Sequence, residues 1–189
     1  TRSPERRVRT LVLGGIRSGK SHWAETAIAE NLDTGAQVRY LATGSAPPGD
    51  RDWQRRVAAH RRRRPDGWRT VESADVAAEL RTTPDIPTLV DDLGGWLTAV
   101  LDGRGWEGGS AEPAVEDLAA AVDTFRAPLV LVSPEVGLTV VSPTTAGRRF
   151  TDELGSLNQR MASICERVVL VLAGQPLWVK PAPATGSRP

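Results

Sequence analysis

Five short apolar runs recur along the chain, at Thr10 to Leu13, Gln37 to Ala42, Thr88 to Asp91, Leu129 to Ser133 and Val168 to Leu172. Runs of this length, rich in valine and leucine and without strict polar alternation, predict strands covered on both faces, as in a parallel sheet. The segments between them carry helical spacing. Ser21 to Leu32 sets Trp23, Ala24, Ala27 and Ile28 on one side and ends at Asp33-Thr34-Gly35. Asp52 to Arg63 reads as a second helix, stopped by Pro65 because the residue ahead of a proline avoids helical geometry. Further helices are expected over Ala74 to Arg81, Trp96 to Asp102, Val115 to Phe125 and Thr145 to Glu166. The stretch Gly103 to Ser110 reads as an exposed loop and not a boundary, since the sheet pattern resumes after it. Strands alternating with helices in this way predict an α/β fold with a mostly parallel sheet flanked by helices.

Length and charge narrow the picture modestly. A chain of 189 residues buries a sizeable core in a single domain, expected over 9–180, with flexible ends at 1–8 and 181–189. A formal net charge of +1 points to no polyanion, so nucleic acid is not an expected partner. Cys165 is the only cysteine, which excludes an intrachain disulfide and suits a reducing cytoplasm. No apolar run is long enough to insert in a membrane, and Thr1 to Arg9 lacks the apolar core of a secretory signal. A start at Thr1 in place of methionine points to trimming, processing or a longer parent chain.

The most informative chemistry follows the first strand directly. Gly14-Gly15-Ile16-Arg17-Ser18-Gly19-Lys20-Ser21 is the glycine loop and helix start of a Walker A phosphate cradle, in which backbone N–H groups converge on phosphate, Lys20 adds a movable ammonium and Ser21 offers a hydroxyl to Mg2+. Lys20 and Lys180 are the only lysines in an arginine-rich chain. A compact ammonium fits among phosphate oxygens where a planar guanidinium does not.

In a parallel α/β sheet ligands bind beyond the carboxyl ends of the strands. Asp91 and Asp92 end one strand, where Asp91 is placed to hold Mg2+ through water; for Asp92 a helix N-cap is an equal reading. Ala42-Thr43-Gly44 ends another, either a nucleotide-touching loop or simply a turn. His60 sits within Arg55-Arg56-Val57-Ala58-Ala59-His60-Arg61-Arg62-Arg63-Arg64-Pro65, so that on a helix Arg56, Arg63 and Arg64 share its face. Cationic neighbours keep an imidazole neutral and nucleophilic, able to attack phosphorus and form a phosphoramidate. The spacing alone nevertheless favours a solvated helix face. His22 reads as a surface or packing residue, and Trp53, on the same helical face as His60, reads as core first and as the lining of a pocket for a base or a large ring second. No Asn-Lys-x-Asp string reads guanine, which disfavours a regulatory GTPase.

The strings Gly14 to Ser21, Tyr40-Leu-Ala-Thr43, His60-Arg-Arg-Arg-Arg-Pro65, Trp68-Arg-Thr-Val-Glu72, Leu89-Val-Asp-Asp-Leu93 with Trp96-Leu97, and Val132-Ser-Pro-Glu-Val-Gly137 occur in a set order. Gly147-Arg-Arg-Phe150, Asp152-Glu-Leu-Gly155, Leu157-Asn-Gln159 and Ala173-Gly174 continue it. Together they resemble the bifunctional adenosylcobinamide kinase / adenosylcobinamide-phosphate guanylyltransferase family, across nearly all of Arg9 to Lys180. The resemblance implies a P-loop NTPase (RecA-like) fold and a cytoplasmic homotrimer in cobalamin biosynthesis. It implies phosphorylation of adenosylcobinamide, then transfer of GMP from GTP to adenosylcobinamide phosphate through a GMP-histidine at His60, with ATP and GTP as co-substrates and Mg2+ as cofactor. By the same matching Gly14, Gly15, Ile16, Arg17, Ser18, Gly19, Lys20, Ser21, Ala42, Thr43, Gly44, Arg61, Arg62, Arg63, Arg64, Glu72 and Asp91 line the nucleotide site, with Lys20 and His60 catalytic. The chain departs from the family's usual strings at Pro134, where asparagine is usual, at Leu138-Thr139, at Asp52-Trp53 and at Ala59. Two other readings of the residues stand beside this one: a small-molecule kinase with no covalent intermediate, and a nucleotide-gated module using Arg61 to Arg64 for binding.

Overall fold

Strand β1 (Arg9–Gly14) lies between two parallel partners, β5 (Leu129–Pro134) and β6 (Arg167–Leu172), with Leu11 opposite Leu131 on one side and Val168 on the other. The structure, a computed structural model, describes residues 7–30, 32–33, 35–44, 65 and 67–181. Among these, seven strands form one sheet in the order β3-β2-β4-β5-β1-β6-β7, with β2 at Val38–Ala42, β3 at Trp68–Glu72, β4 at Thr88–Asp91 and β7 at Gln175–Lys180. Every pairing is parallel except β6 with β7. The chain folds as a single domain with a mostly parallel sheet and helices on both faces.

The strand residues alternate between two cores. Leu11, Leu129 and Leu131 face one side, where they join Leu80, Leu97, Leu118, Leu157 and Met161. Val12, Val130 and Val132 face the other and meet Ala24 and Ile28. The first side is covered by α2 (Val76–Thr82), α3 (Leu93–Arg104), α4 (Glu112–Thr124) and α5 (Thr145–Ile164), the second by α1 (Lys20–Glu30). Most apolar residues of the central strands β1, β2, β4, β5 and β6 are thereby taken out of water, which is why these strands read as continuous runs.

All five expected strands form within a residue or two of their expected bounds. Two further strands, β3 and β7, are not among the five expected. β3 is an edge strand with half-exposed residues, and β7 is exposed along its whole length and contains Pro176, which an edge position tolerates because no outer partner needs its N–H. Helix α3 starts three residues before the expected Trp96, at Leu93, because Asp92 caps it by accepting a hydrogen bond from Gly95 N–H at 2.8 Å. The helix expected over Asp52 to Arg63, with Trp53, lies outside the described residues, as do residues 1–6 and 182–189 of the expected flexible ends.

Buried arginines staple the amino edge of the sheet. Arg9 opens β1 and bonds Glu166 at 2.6 Å and Asp123 at 2.8 Å. Burial alone would push the Glu166 carboxyl up, but the Arg9 guanidinium holds it below the usual carboxylate range. Arg39 in β2 likewise donates to the Glu79 carbonyl at 2.7 Å, fixing α2. Cys165, between α5 and β6, is buried in the core, and burial pushes its thiol up to about 12, so it stays protonated.

One buried polar bridge reaches the carboxyl edge. Asn158 of α5 accepts from Ser133 Oγ at 2.6 Å and donates to the Pro134 carbonyl at 3.1 Å, tying the end of β5 to the helix. Replacing Asn158 by alanine strands both partners in a dry environment, so N158A is expected to lose about 2–3 kcal/mol of unfolding free energy. Urea titration of the two proteins measures it, and a loss below about 0.5 kcal/mol would show that the bridge does not hold the edge together.

Candidate functional site at the carboxyl edge of the sheet

Parallel pairing delivers the ends of β2, β4, β5 and β1 to one edge. Ala42 stands opposite both Asp91 and Glu72, and Gly14 stands opposite Pro134. The expected residues Gly14, Gly15, Ile16, Arg17, Ser18, Gly19, Lys20, Ser21, Ala42, Thr43, Gly44, Glu72 and Asp91 all lie at this edge. His60 and Arg61, Arg62, Arg63 and Arg64 lie outside the described residues.

The loop after β1 turns sharply and enters α1. Ser18 N–H donates to the Gly15 carbonyl at 3.2 Å, and Arg17 and Gly19 adopt left-handed φ values of 58° and 91°. Gly14 has no room for a side chain, since a Cβ there would sit 2.4 Å from Ser18 Oγ and 2.9 Å from the Val171 carbonyl. Gly19 combines its positive φ with the Gly174 Cα only 3.1 Å from where a Cβ would stand. These two glycines are therefore required by the shape of the cradle. The Ser18 hydroxyl is buried inside it with no hydrogen-bond partner among the described residues. Lys20 folds back so that Nζ donates to the Gly15 carbonyl at 3.3 Å, placing the ammonium over the mouth of the loop.

Neighbouring loops brace the cradle on both sides. Glu135 N–H, just past β5, donates to the Gly14 carbonyl at 3.0 Å, and Gly174 N–H, in the β6–β7 turn, donates to the Ser18 carbonyl at 2.7 Å. Farther along the edge, Thr43 N–H donates to the Asp91 carbonyl at 3.2 Å, and the Thr43 hydroxyl accepts from Asp92 N–H at 3.1 Å while donating to the Asp92 carbonyl. Thr43 thus locks the end of β2 to the end of β4. Tyr40, buried within β2 and stacked near Trp68, donates its hydroxyl to Asp91 Oδ2. This bond orients the Asp91 carboxylate and has no local sequence signal beyond the Tyr40 string, because the partners are 51 residues apart.

The two aspartates divide their work. Asp92 serves as the α3 cap, yet its carboxyl also feels the Lys20 ammonium. Burial, and after it the neighbouring Asp91 charge, pushes the Asp92 carboxyl above its ordinary value; the Gly95 N–H and Lys20 only partly oppose this. The chain's Pro134 packs here too: a Cβ on Gly94 would come within 2.8 Å of Pro134 Cγ, so the proline fills the space beside the first turn of α3. An all-oxygen donor set of the Ser21 hydroxyl and the Asp91 carboxylate suits Mg2+, which keeps waters and shares phosphate oxygens. No group of three or more His, Cys, Asp or Glu side chains able to hold a metal by themselves exists among the described residues. None of the described helices is long and apolar enough to cross a membrane.

Comparisons with known proteins place the whole edge within one family match. A family model described as cobinamide kinase / cobinamide phosphate guanyltransferase matches residues 10–179. The chain is 42% identical over 181 residues to the bifunctional adenosylcobalamin biosynthesis protein CobP of Pseudomonas aeruginosa, covering 93% of this chain and 99% of that protein. It is 33% identical over 184 residues to the bifunctional adenosylcobalamin biosynthesis protein CobU of Salmonella typhimurium, covering 90% and 98%. Among solved structures, an ATPase from the type III secretion system of pathogenic bacteria aligns with a TM-score of 0.55 at 11% identity, over 86% of this chain and 50% of that one, a likeness of fold.

The raised Asp92 carboxyl sets a pH dependence of stability. A carboxyl whose folded value exceeds its unfolded value stabilises the fold fully below the unfolded value, 3.8, and this contribution is lost as pH rises through the folded value. D92N keeps a capping oxygen but removes the charge, so its melting temperature is expected to exceed that of the parent protein at pH 7.5, with the gap closing as pH falls toward 4. Parallel melts at several pH values check this; a gap independent of pH would mean the charge is not what burial penalises.

Proposed function

We propose a two-step course for this chain, which belongs to the cobinamide kinase / cobinamide phosphate guanyltransferase family and is accordingly a transferase of cobalamin biosynthesis with kinase and guanylyltransferase activities. In the first step a nucleoside triphosphate, ATP or GTP, sits in the loop Gly14 to Ser21 with Lys20 against its phosphates. The aminopropanol hydroxyl of adenosylcobinamide attacks the γ-phosphorus, its proton leaves, and the bond to the β-phosphate oxygen breaks. In the second step an imidazole nitrogen of His60 attacks the α-phosphorus of GTP and pyrophosphate departs, leaving GMP joined to the ring by a P–N bond. An oxygen of adenosylcobinamide phosphate then attacks the same phosphorus, the P–N bond breaks, and adenosylcobinamide-GDP is released with His60 restored.

The roles of the side chains follow from charge. Lys20 neutralises phosphate oxygens as negative charge shifts toward the leaving group, and Arg61 to Arg64 do so around the α-phosphate while holding the His60 ring neutral. Mg2+, held by the Ser21 hydroxyl and through water by Asp91, supplies further neutralisation when bound. Tyr40 fixes the Asp91 carboxylate, and Ala42, Thr43, Gly44 and Glu72 border the nucleotide along the edge. What carries this reading is one observation: the phosphate loop with its lysine shares a sheet edge with Ala42-Thr43-Gly44, from which the chain runs on toward His60, inside a family match that spans both. The same reading has the enzyme working in the cytoplasm as a homotrimer.

GTP labelled at the α-phosphate is expected to leave an acid-labile label on the native protein and none on H60A. K20A is expected to lower both kinase and guanylyltransferase kcat/KM by roughly 100-fold or more, the scale of one lost charge-stabilising donor. Gel autoradiography and separate assays of each step measure these. Undiminished label in H60A would put the covalent GMP on a residue other than His60, whereas no label on the native protein would leave the small-molecule kinase reading of the site in its place.

A further inference from the structure

We infer that the corrin macrocycle of the acceptor rests on an apolar shelf formed by Ile16, Leu138, Val140 and Val141 beside the phosphate loop. The inference rests on the acceptor named above and adds the surface that receives it. Four aliphatic side chains on the loops after β1 and β5 are largely exposed, Ile16 at 91%, Leu138 at 77%, Val140 at 94% and Val141 at 75%, while the other large exposed apolar residues, Leu172, Leu177, Trp178 and Val179, lie on β6 and β7. Single exposed aliphatics need no explanation, but several carried by adjoining loops at a site mouth do.

The two loops are joined at their roots. Gly14 and Pro134 are register partners at the ends of β1 and β5, and the Glu135 N–H to Gly14 carbonyl bond continues the pairing past the strands. Ile16 therefore leaves the edge beside the segment that carries Leu138 to Val141.

That segment is held in place by its polar groups, so its apolar side chains are not exposed through slackness. Gly137 N–H donates to Glu135 Oε1 at 2.6 Å, and the Thr139 hydroxyl donates to the Val136 carbonyl at 2.8 Å. At the far end Arg148 Nη1 donates to the Ser142 and Pro143 carbonyls at 3.2 and 2.9 Å, and Thr144 caps α5 through Gly147 N–H at 3.1 Å. Val136 packs inward against the core while Leu138, Val140 and Val141 face water. A loop pinned in this way pays no ordering entropy on binding.

The chemistry of the acceptor fits the surface. A corrin ring presents a broad apolar face and a rim of amides, and its aminopropanol arm must reach the γ-phosphate. A shelf whose inner border is Ile16, within the phosphate loop itself, lets the ring bury apolar area while the arm extends into the cradle. Small nucleotides have no use for aliphatic residues at this position, and the phosphate loop is already built of backbone and Lys20.

The test uses the full chain and adenosylcobinamide as probe. V140D and L138D change exposed side chains, so both are expected to fold. Each is expected to weaken adenosylcobinamide binding, followed by its visible absorbance in equilibrium dialysis, by about 10-fold or more, while affinity for a fluorescent GTP analogue stays within about twofold and the mass by light scattering is unchanged. Equal acceptor affinity in variants and parent overturns the shelf alone. Weakening that appears only together with a change of mass assigns the patch to contact between copies and also overturns it. A parent protein that binds no adenosylcobinamide sinks the acceptor assignment itself, and the shelf with it.

Discussion

Parallel pairing of β1 between β5 and β6 is the constraint on which the rest of the molecule depends. Because all strands but β7 run one way, every one of their carboxyl ends falls on a single edge, and residues remote in sequence are brought together there. The phosphate loop inherits its position from this arrangement, and its shape from the collision that any side chain on Gly14 would suffer with Ser18 and the Val171 carbonyl. The opposite edge is where the buried arginines lie. Arg9 and Arg39 fasten helices to the amino ends of β1 and β2 through ion pairs and carbonyl bonds, so fold stability and chemistry are kept at separate ends of the sheet.

At the chemical end the molecule accepts an electrostatic cost. Two adjacent carboxylates share the tip of β4; one is turned by Tyr40 and the other is spent partly on capping α3. Neither neutralises the other, and the Lys20 ammonium, folded onto the Gly15 carbonyl, balances the Asp92 charge only in part. Such a site favours arrivals that carry their own compensating charges, a phosphate chain for the lysine and a hard cation for the carboxylates.

Much of this was legible in the residues, for reasons that differ from element to element. The five strands buried on both faces announce themselves as valine and leucine runs, and the phosphate loop by a glycine and lysine spacing that few other structures need. β3 and β7 were invisible because edge strands bury little: β7 gives Leu177, Trp178 and Val179 largely to solvent, and its Pro176 argues against a strand when its place in the sheet is unknown. The cap at Asp92 was readable as one of two alternatives; that the residue also faces Lys20 was not, since the coupling arises from how α1 and β4 are set side by side. Tyr40 to Asp91 and Thr43 to Asp92 are likewise products of strand order. His60 and the arginines that follow it owe their assignment to family strings and to imidazole chemistry, and lie outside the described residues.

The hairpin between β6 and β7 looks like an ordinary exposed turn, yet Ala173 and Gly174 both adopt left-handed φ values, 49° and 76°, and Gly174 N–H reaches the Ser18 carbonyl. Trp178 of β7 meets Trp23 of α1 edge-on at 5.7 Å, a second tie between the hairpin and the helix that the phosphate loop opens. Surface turns usually absorb added residues without harm. Here a single insertion would carry the donor away from its acceptor, so the length of this outlying hairpin is fixed by the catalytic loop it touches and should drift far less among descendants than its solvent exposure would suggest.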